Sequence, residues 1–351
     1  MGGYAADKNY ELALGNSIPP RAKATRIEDV AAKANVSIMT VSRALRGVEG
    51  VSEKKRAEIL KIARTLNYVP NSNARSLAVA NSNLVGISLP TFAGEVFAEI
   101  LNGMRQTFEK AGYSSVIDTT EYSRDAELIW VRRLLSWQPA AVILTGVDHH
   151  PETYALLKAS PLPVLEIWDH TDDPIDLCVG IDHFKAGQAI GQHATERGYK
   201  CPAFVSTPKG HDIRADARLA GIRDIYRQIG QNHVPVSRPP LQSAFTAGFQ
   251  GATELINEEQ PDIICFLNDH MAFGGMMACN SLGLSIPDDM GVVGFNSLDL
   301  ASVLPKRLTT IRTPRRLMGV TGARNLLARI NGVPIERNIV LPVEFVSGET
   351  T

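Results

Sequence analysis

The hydrophobic residues between Thr25 and Leu66 recur every three or four positions, the period of an amphipathic helix. Two interruptions of this pattern divide the segment into three short helices, each with one apolar face. The predicted inward positions are Ile27, Val30, Ala31 and Ala34, then Val41, Ala44 and Leu45, then Ile59, Ala63 and Leu66. A single small hydrophobic core shared by three helices is therefore expected.

Residues that start and stop helices fall at the edges of these three segments. We expect Thr25, Ser37 and Ser52 to cap the three helices, because Ser and Thr hydroxyls accept hydrogen bonds from the first free N–H groups of a helix. Gly47 is expected to end the second helix and Pro70 to stop the third. The first two helices are then joined by a tight turn, as in a helix-turn-helix unit.

From Leu84 onward the pattern changes to short, almost continuous apolar runs that alternate with amphipathic helices. This alternation predicts parallel sheets covered on both faces by helices, and two sets of runs predict two doubly wound lobes. The expected fold class is an all-α helix-turn-helix head followed by an α/β region. The predicted segments are a loose tail (1–24), the head (25–70), a short linker helix (71–83) and the α/β region (84–351).

Charge is distributed unevenly along a chain whose net charge is −1. From Arg21 to Asn83 there are 12 Lys and Arg residues and 5 Asp and Glu residues, whereas the remainder is mildly acidic. A basic module on an acidic body suggests that only the first part meets a polyanion. A basic face that is merely solvated is the alternative.

The second predicted helix presents an unusual outward face, formed by Ile38, Met39, Ser42 and Arg43. A helix of this width fits the major groove of DNA, where apolar groups contact thymine methyls and arginine forms a bidentate contact with guanine. Alternatively, Ile38 and Met39 pack against a neighbouring helix.

The segment 71–83 predicts a helix too short to persist alone in water, with Asn71 as its cap. An apolar side chain on such a linker, Leu77, could wedge between base pairs in the minor groove. Packing of Leu77 on its own domain is the alternative.

Several polar stretches follow the predicted strands, among them "LPTF", "TGVDHH", "IWDH", "STPKGHD", "LNDH" and "FNSLD". In doubly wound sheets ligands bind outside the carboxyl ends of the strands. We therefore expect a small polar ligand in a cleft between the lobes, which closes on it.

The motifs "TRIEDVAAKANVSIMTVSRALRG", "YVPN" and "ARSL" resemble the DNA-binding head of the LacI/GalR family of bacterial repressors. The stretches "FLNDHMAFGGMMACNSLGLSIPDDMGVVGFN" and "RLTTIRTPRRLMGVTGARNLLARING" resemble the effector region of that family, which is similar to periplasmic sugar-binding proteins. Within the family, "SLPTFAGEVFAEILNGM", "LLSWQPAAVILTG" and "PIDLCVGIDHFKAG" are most similar to gluconate-operon repressors.

The resemblance implies a homodimer, with a tetramer as the alternative, that binds near-palindromic operator DNA and is controlled by a sugar acid such as gluconate or 2-ketogluconate. It implies three crossings between the lobes, near residues 183, 312 and 338. It also implies base contacts by the outward face of the second helix, a backbone contact near Thr40 and a minor-groove role for Leu77. The complete set of expected DNA-binding residues is Thr25, Ser37, Ile38, Met39, Thr40, Ser42, Arg43, Asn71, Arg75 and Leu77.

A sugar acid needs a fixed cation for its carboxylate, and Arg214 is the expected anchor. The alternative for Arg214 is a surface ion pair with Asp212 or Asp216, while Arg218 in "RLAG" is interpreted as structural. Phe97 is expected to cover the sugar, with core packing as its alternative. The expected effector-binding residues are Phe92, Phe97, Thr145, Asp169, His183, Arg214, Asn268, Asp269 and Asn296.

Other classes of function find little support in the sequence. No apolar run reaches the roughly 20 residues that span a membrane, and no apolar signal core opens the chain, which favours the cytoplasm. Cys178, Cys201, Cys265 and Cys279 are scattered and are expected to be buried free thiols. Neither a metal site at Asp148–His150, a cofactor motif nor a catalytic constellation is predicted. A sugar-acid-binding transport protein or an enzyme on an α/β body remain the alternatives.

Overall fold

The computed structural model describes residues 25–69, 82–210, 212–240 and 243–351. The predicted tail (1–24), most of the predicted linker helix, and the expected DNA contacts Asn71, Arg75 and Leu77 lie outside the described residues. The chain divides into two compact units, Met1–Ala80 and Asn81–Thr351.

The first unit contains three helices around one apolar core, as the periodicity predicts. They are α1 (Ile27–Ala34), α2 (Ile38–Arg46) and α3 (Glu53–Thr65). The predicted inward residues are buried or half-buried in one cluster: Val30, Ala31, Ala34, Val41, Ala44, Ile59 and Ala63 at its centre, with Ile27, Leu45 and Leu66 at its edge. Packing of the three apolar faces against one another therefore holds together helices that are too short to persist alone.

Ser37 and Ser52 cap α2 and α3 as predicted. Their hydroxyl oxygens accept hydrogen bonds from the backbone N–H groups of Thr40 and Lys55. Gly47 ends α2 in the left-handed conformation, with φ of 71°, which glycine adopts without steric cost. The turn and the boundaries of α2 are thus specified locally.

Two of the predicted helix ends are wrong. Arg26, not Thr25, is the N-cap of α1, and its N–H donates to the Asp29 carboxylate at 2.7 Å. The Thr25 hydroxyl donates instead to the carbonyl of Leu66 at 2.9 Å, which ties the start of α1 to the end of α3. The third helix ends at Thr65, well before Pro70, because Asn67 is left-handed with φ of 48°.

The second unit consists of strands and helices in alternation. In chain order they are β1 (Leu84–Leu89), α4 (Glu95–Lys110), β2 (Ser114–Thr119), α5 (Arg124–Ser136), β3 (Ala141–Thr145), α6 (Pro151–Lys158), β4 (Val164–Trp168), β5 (Leu177–Gly180), α7 (His183–Glu196), β6 (Pro202–Val205), α8 (Ile213–Gln228), β7 (Val236–Ser237), α9 (Ala244–Glu259), β8 (Ile263–Phe266), α10 (Asp269–Ser281), β9 (Gly291–Val293), α11 (Asp299–Val303), β10 (Thr310–Arg312), α12 (Arg315–Ile330), β11 (Asn338–Val340) and β12 (Glu344–Val346).

Two parallel sheets define two lobes, which confirms the predicted doubly wound architecture. The sheet of the first lobe has the order β11-β5-β4-β3-β1-β2, and that of the second lobe has the order β7-β6-β8-β9. All strand pairs within these two sheets are parallel. Strands β10 and β12 form a separate antiparallel pair.

The chain passes between the lobes three times. It leaves β5 of the first sheet at 181–182, returns at 313–314 to enter α12, and leaves β11 at 341–343 to reach β12. All three passages lie within the second unit. Three short connecting segments therefore join the two lobes. Such a connection lets lobes rotate about a hinge while each keeps its own core.

The cysteines depart from expectation at one position. Cys178, Cys265 and Cys279 are buried free thiols as predicted, but Cys201 is exposed. Among the described residues, no helix is long and apolar enough to cross a membrane.

Candidate functional site

The outer face of α2 carries the side chains that the sequence assigns to DNA. Ile38 is 47% exposed and Met39 is 60% exposed, so in this unit neither packs into the three-helix core. Arg43 is exposed and forms no ion pair with a described residue, whereas Ser42 is half-buried. The Thr40 hydroxyl pairs with that of Ser37 at 2.9 Å. An apolar pair beside a free arginine is suited to contact with base edges in a major groove.

A cavity of about 150 Å³ opens between the two lobes of the second unit, at the carboxyl ends of the strands. The first lobe contributes the loop after β1, the first turn of α4, Tyr122 after β2, and Trp168 at the end of β4. The second lobe contributes the loops after β6, β8 and β9. Polar and charged lining residues are Thr91, Glu95, Tyr122, Thr207, Asp212, Arg214, Arg218, Asn268, His270 and Asn296. We call this the main chamber.

Strained backbone is concentrated around the main chamber. Tyr122, Trp168 and Asn296 all have positive φ, of 61°, 89° and 107°. Residues other than glycine seldom adopt such angles, and they persist where the surrounding structure over-determines them, as in ligand sites. The loops that line the main chamber therefore carry strain that the fold alone does not require.

Arg214 lines the main chamber, but its charge is already balanced. Its Nε donates to Asp169 Oδ1 at 2.6 Å and its Nη1 to Asp212 Oδ1 at 3.3 Å. Burial opposes its charge, yet the two carboxylates raise the pKa of Arg214 above its usual value. Asp169 is itself buried, and although burial favours its neutral form, the nearby Arg214 charge and His183 lower the pKa of Asp169 to about 2.

These contacts decide between the alternative partners of Arg214. Of the two alternative partners, Asp212 forms the ion pair, whereas Asp216 pairs with Arg238 at 2.7 Å. The Asp212 carboxylate also caps α8 by accepting the N–H of Arg214. The buried Asp169 and the half-buried Asp212 thus already pair with Arg214, and its role as the anchor of a ligand carboxylate stays a prediction.

Arg218, unlike Arg214, has no direct ion pair among the described residues. It is only 4% exposed, and it forms neither a hydrogen bond nor an ion pair with a described residue; its Nε is buried without a partner. Its guanidinium stacks on the ring of Phe295, 4.0 Å from the centroid. Burial lowers the pKa of Arg218 to about 10, which leaves it charged at neutral pH. A buried cation without a counter-ion is costly, and an anionic ligand would supply one.

Asn268, Asn296 and Phe97 line the main chamber, as expected from their positions. Asn268 Oδ1 caps α10 by accepting the N–H of Met271 at 2.9 Å, which leaves the amide group to face the chamber. Phe97 is mostly buried and packs edge-on against Trp168 at 5.9 Å. Phe97 therefore combines core packing with contact to the chamber, so its two interpretations are compatible.

Asp269 is not placed to contact a ligand. Its carboxylate accepts hydrogen bonds from the Thr310 hydroxyl at 2.7 Å and the Leu298 N–H at 2.6 Å, and it is fully buried. Burial raises the pKa of Asp269 to about 6. The structure thus gives this residue an internal role, holding the loop after β9 to the start of α10.

Four other expected effector residues lie outside the main chamber. Phe92 is 63% exposed on the loop after β1. His183 is buried beside Trp168 and Phe295, and burial lowers its pKa. Asp169 accepts the hydrogen bond from Arg214 Nε and does not line the main chamber. Thr145 lines a smaller adjoining cavity, and its hydroxyl donates to the carbonyl of Ser88 at 2.8 Å.

That adjoining cavity, which we call the side chamber, measures about 60 Å³. Its lining residues are Pro90, Thr120, Tyr122, Ser123, Arg124, Glu127, Thr145, Gly146, Asp148, Gly210, Ile213 and Arg214. Of the residues that the structure describes, Tyr122 and Arg214 are the two that line both chambers. Tyr122, Trp168 and Asp212 line the cleft but were not predicted to do so from the sequence, and Arg218 was interpreted as structural. For Tyr122 and Trp168 a signal was available, because both lie at or just after the carboxyl end of a strand.

A buried histidine sits between two carboxylates behind the side chamber. His149 Nδ1 is hydrogen-bonded to Glu127 Oε1 at 2.9 Å, and Nε2 lies 3.3 Å from Glu166 Oε1 in an ion contact without hydrogen-bond geometry. His150 faces away, toward Asp125 at 3.7 Å. The described residues contain no group of three or more side chains arranged to hold a metal ion. The two adjacent histidines therefore have separate, structural surroundings.

The His149 cluster predicts a pH-dependent stability. Burial favours the neutral ring, but the attraction of the nearby Glu127 and Glu166 carboxylates outweighs it and raises the pKa of His149 to about 9, above its ordinary value of 6.5. The stabilisation is complete below about pH 6.5 and is lost as the pH rises through 9. Relative to a neutral variant with Gln at positions 127, 149 and 166, the wild-type protein should lose of the order of 3 kcal/mol of unfolding free energy over this range. Denaturant unfolding at several pH values measures this difference, and a constant difference between pH 6 and 10 would contradict the assignment.

Comparisons with known families cover both units. A family model described as bacterial regulatory proteins, lacI family, matches residues 26–71, and one described as periplasmic binding proteins and sugar binding domain of LacI family matches residues 83–348. Together they span the head and nearly all of the α/β unit.

Individual relatives agree with these matches. The transcriptional regulator GntR of Escherichia coli K12 is 33% identical over 87% of this chain and 92% of its own length, and GntR of Pseudomonas aeruginosa PAO1 is 31% identical over 93% and 95%. The crystal structure of a LacI-family regulator from Silicibacter pomeroyi superposes with a TM-score of 0.87 at 32% identity, covering 93% of this chain and 99% of that one. The lac repressor dimer bound to operator and the anti-inducer ONPF gives a TM-score of 0.81 at 27% identity, covering 93% and 99%.

Proposed function

Because this chain belongs to the LacI family of bacterial regulatory proteins, and is thus a DNA-binding transcriptional regulator, we propose that it is a repressor controlled by a sugar acid of the gluconate class. The observation that carries this proposal is the buried guanidinium of Arg218 in the cleft between the lobes, which forms no ion pair with a described residue. A neutral sugar would leave that charge without a counter-ion, whereas a carboxylate pairs with it in a bidentate hydrogen-bonded contact. The similarity to the GntR regulators, at 33% and 31% identity over most of this chain, supports the same class.

Polyhydroxy chains suit the remaining surface of the main chamber. Asn268 and Asn296 present amide groups, which donate to and accept from hydroxyls, and Asp212 presents a carboxylate. Trp168 and Phe97 offer apolar faces to the carbon chain. Asn296 is an amide rather than a carboxylate, so it adds no repulsion toward an anionic ligand. A sugar acid of about the size of gluconate therefore finds a charge partner, hydroxyl partners and apolar cover in one cavity.

On the DNA side we propose that two heads of a homodimer bind the two halves of a near-palindromic operator. Ile38, Met39, Ser42 and Arg43 then face base edges. Of the other expected contacts, Thr25 also ties the start of α1 to the end of α3, and Ser37 and Thr40 are hydrogen-bonded to each other at the start of α2. Asn71, Arg75 and Leu77 belong to the linker segment proposed to form a helix on DNA. The proposed location is the cytoplasm.

We further propose that ligand binding weakens operator binding. Closure of the lobes around the acid changes the arrangement of the first lobes in the dimer, and the linker helices then lose their pairing on DNA. Coupling between separate sites of this kind is worth about 1–3 kcal/mol, which corresponds to about 5- to 150-fold in affinity. A short linker helix is a suitable two-state element because a small free-energy change melts it.

Calorimetric titration of the purified protein with gluconate, 2-ketogluconate and glucose tests the ligand class. Gluconate and glucose share most of their hydroxyls and differ in the carboxylate, so they form a matched pair. We expect binding of at least one of the two acids and none of glucose at the same concentrations. Binding of glucose in preference to both acids would contradict the proposal.

A further inference from the structure

Among the described residues, two lie between the main chamber and the side chamber. Tyr122 and Arg214 line both cavities, which measure about 150 and 60 Å³. Every other lining residue belongs to one chamber alone. The two side chains therefore form a partition inside what would otherwise be one longer cleft.

Arg214 is the first residue of this partition, and its side chain is fixed by its contacts. It is held by Asp169 and Asp212, and Gly146 lies against it with φ of 98°. A β-carbon at position 146 would come within 2.5 Å of Arg214 Nη2, so the guanidinium is packed directly on the backbone. Removing Arg214 would also leave the buried Asp169 and the half-buried Asp212 without their arginine, which makes it an unsuitable place to open the partition.

Tyr122 is the second residue of the partition, and its side chain is the one that we propose to remove by mutation. It lies outside regular structure, in the turn between β2 and α5, and both Glu121 and Tyr122 are left-handed, with φ of 47° and 61°. Two successive non-glycine residues in this region cost free energy that a turn built with glycine would avoid. The turn therefore places a large side chain between the chambers at the expense of backbone strain. Burial raises the pKa of Tyr122 to about 12, so the phenol is neutral at any physiological pH.

We propose that Tyr122 is a specificity-determining residue that limits the effector to a single six-carbon acid, by closing the main chamber against the side chamber. This inference rests on the proposed sugar-acid function. The main chamber has room for about ten water molecules at 10–15 Å³ each, which is on the scale of one six-carbon chain with its hydroxyls. A second hexose unit needs the side chamber together with the volume now filled by the tyrosine ring.

The test compares three variants with the wild-type protein. Tyr122→Gly removes the ring, and glycine adopts the left-handed conformation without strain, so the turn keeps its path. Tyr122→Asn is a second opening variant, because asparagine also tolerates that conformation. Tyr122→Phe is the matched control, which keeps the ring and loses only the hydroxyl. The probes are gluconate, lactobionate, which is gluconate with a galactosyl group at O4, and melibionate, which carries it at O6.

We expect the wild-type protein to bind gluconate in calorimetry and to exclude both disaccharide acids, and we expect Tyr122→Phe, which keeps the ring, to exclude them as well. At least one opening variant should gain affinity for lactobionate or melibionate by at least about tenfold. The inference is overturned if wild type already binds the disaccharide acids, if both opening variants keep gluconate and still exclude them, or if both lose every ligand while Tyr122→Phe retains gluconate. Absence of any aldonate binding by wild type would overturn the proposed function as well, whereas gluconate binding with an unchanged size limit overturns only the partition.

Discussion

Replacing Arg218 by Met should abolish the response to the sugar acid while leaving operator binding intact. The variant keeps most of the apolar stem that packs near Phe295 and removes a buried cation that forms no ion pair with a described residue. Truncating one partner of a buried charge pair costs about 2–5 kcal/mol in binding, which corresponds to a loss of about 30- to several thousand-fold in gluconate affinity. Calorimetry measures the affinity, and operator titration with and without gluconate measures the response.

The same substitution should make the unliganded protein more stable, since a desolvated charge without a partner disfavours the folded state. Arg214→Met is the informative contrast, because it leaves the buried Asp169 and the half-buried Asp212 without their cation and should lower the thermal midpoint. Arg238→Met, which removes a pair outside the cleft, is the control for loss of a positive charge. Wild-type gluconate affinity in Arg218→Met would show that the carboxylate binds elsewhere.

Replacing Arg43 by Ala should remove much of the sequence preference of the head. Arg43 is exposed on the outer face of α2, and no described residue pairs with its charge. A bidentate contact between arginine and guanine is worth about 1–3 kcal/mol of discrimination at each half-site. Since Arg43 contributes nothing to the buried core of the head, the thermal stability of the protein should stay unchanged.

Fluorescence anisotropy with the operator and with a scrambled duplex of equal length separates specific from general binding. Arg43→Lys is the matched control, because lysine keeps the charge but lacks the planar pair of donors. We expect both variants to lose the preference for the operator, and Arg43→Lys to retain more affinity for the scrambled duplex. An unchanged ratio of the two affinities in both variants would exclude Arg43 from base recognition.

Local patterns in the sequence were sufficient to predict much of the fold. The three helices of the head, the parallel strands β1 to β6, β8 and β9, and helices such as α4 and α5 follow directly from hydrophobic periodicity. Strands β7 and β10 to β12 have only two or three residues, which is too short for any period to show.

Helices α7 and α12 escaped prediction for a different reason. They pack on their neighbours partly through glycine: a β-carbon at Gly187 would lie 2.1 Å from the carbonyl oxygen of Arg218, and one at Gly319 would lie 2.0 Å from that of Ile100. The inward faces of these helices are thus small rather than strongly apolar, and the hydrophobic pattern that marks an amphipathic helix is weakened.

The sequence located the candidate site, but it did not establish the role of each residue in that site. The strand-end rule located the loops that contain Arg214, Asn268 and Asn296, and all three line the main chamber. Which arginine has carboxylate neighbours depends on Asp169, which is 45 positions from Arg214 in the chain. Local spacing carries no information on such a pair, and the charge balance that distinguishes Arg218 appears only once the two lobes are assembled.

The most direct test of the account is a titration of the protein–operator complex with gluconate. The full-length protein first selects a duplex from a random pool, and the affinity for that duplex is then measured at increasing gluconate concentrations. We predict that gluconate weakens binding by about 5- to 150-fold, with a midpoint set by its calorimetric affinity for the cleft, and that Arg218→Met shows no such effect. Failure to select any preferred duplex, or a preferred duplex whose affinity is unaffected by sugar acids that bind the protein, would contradict it.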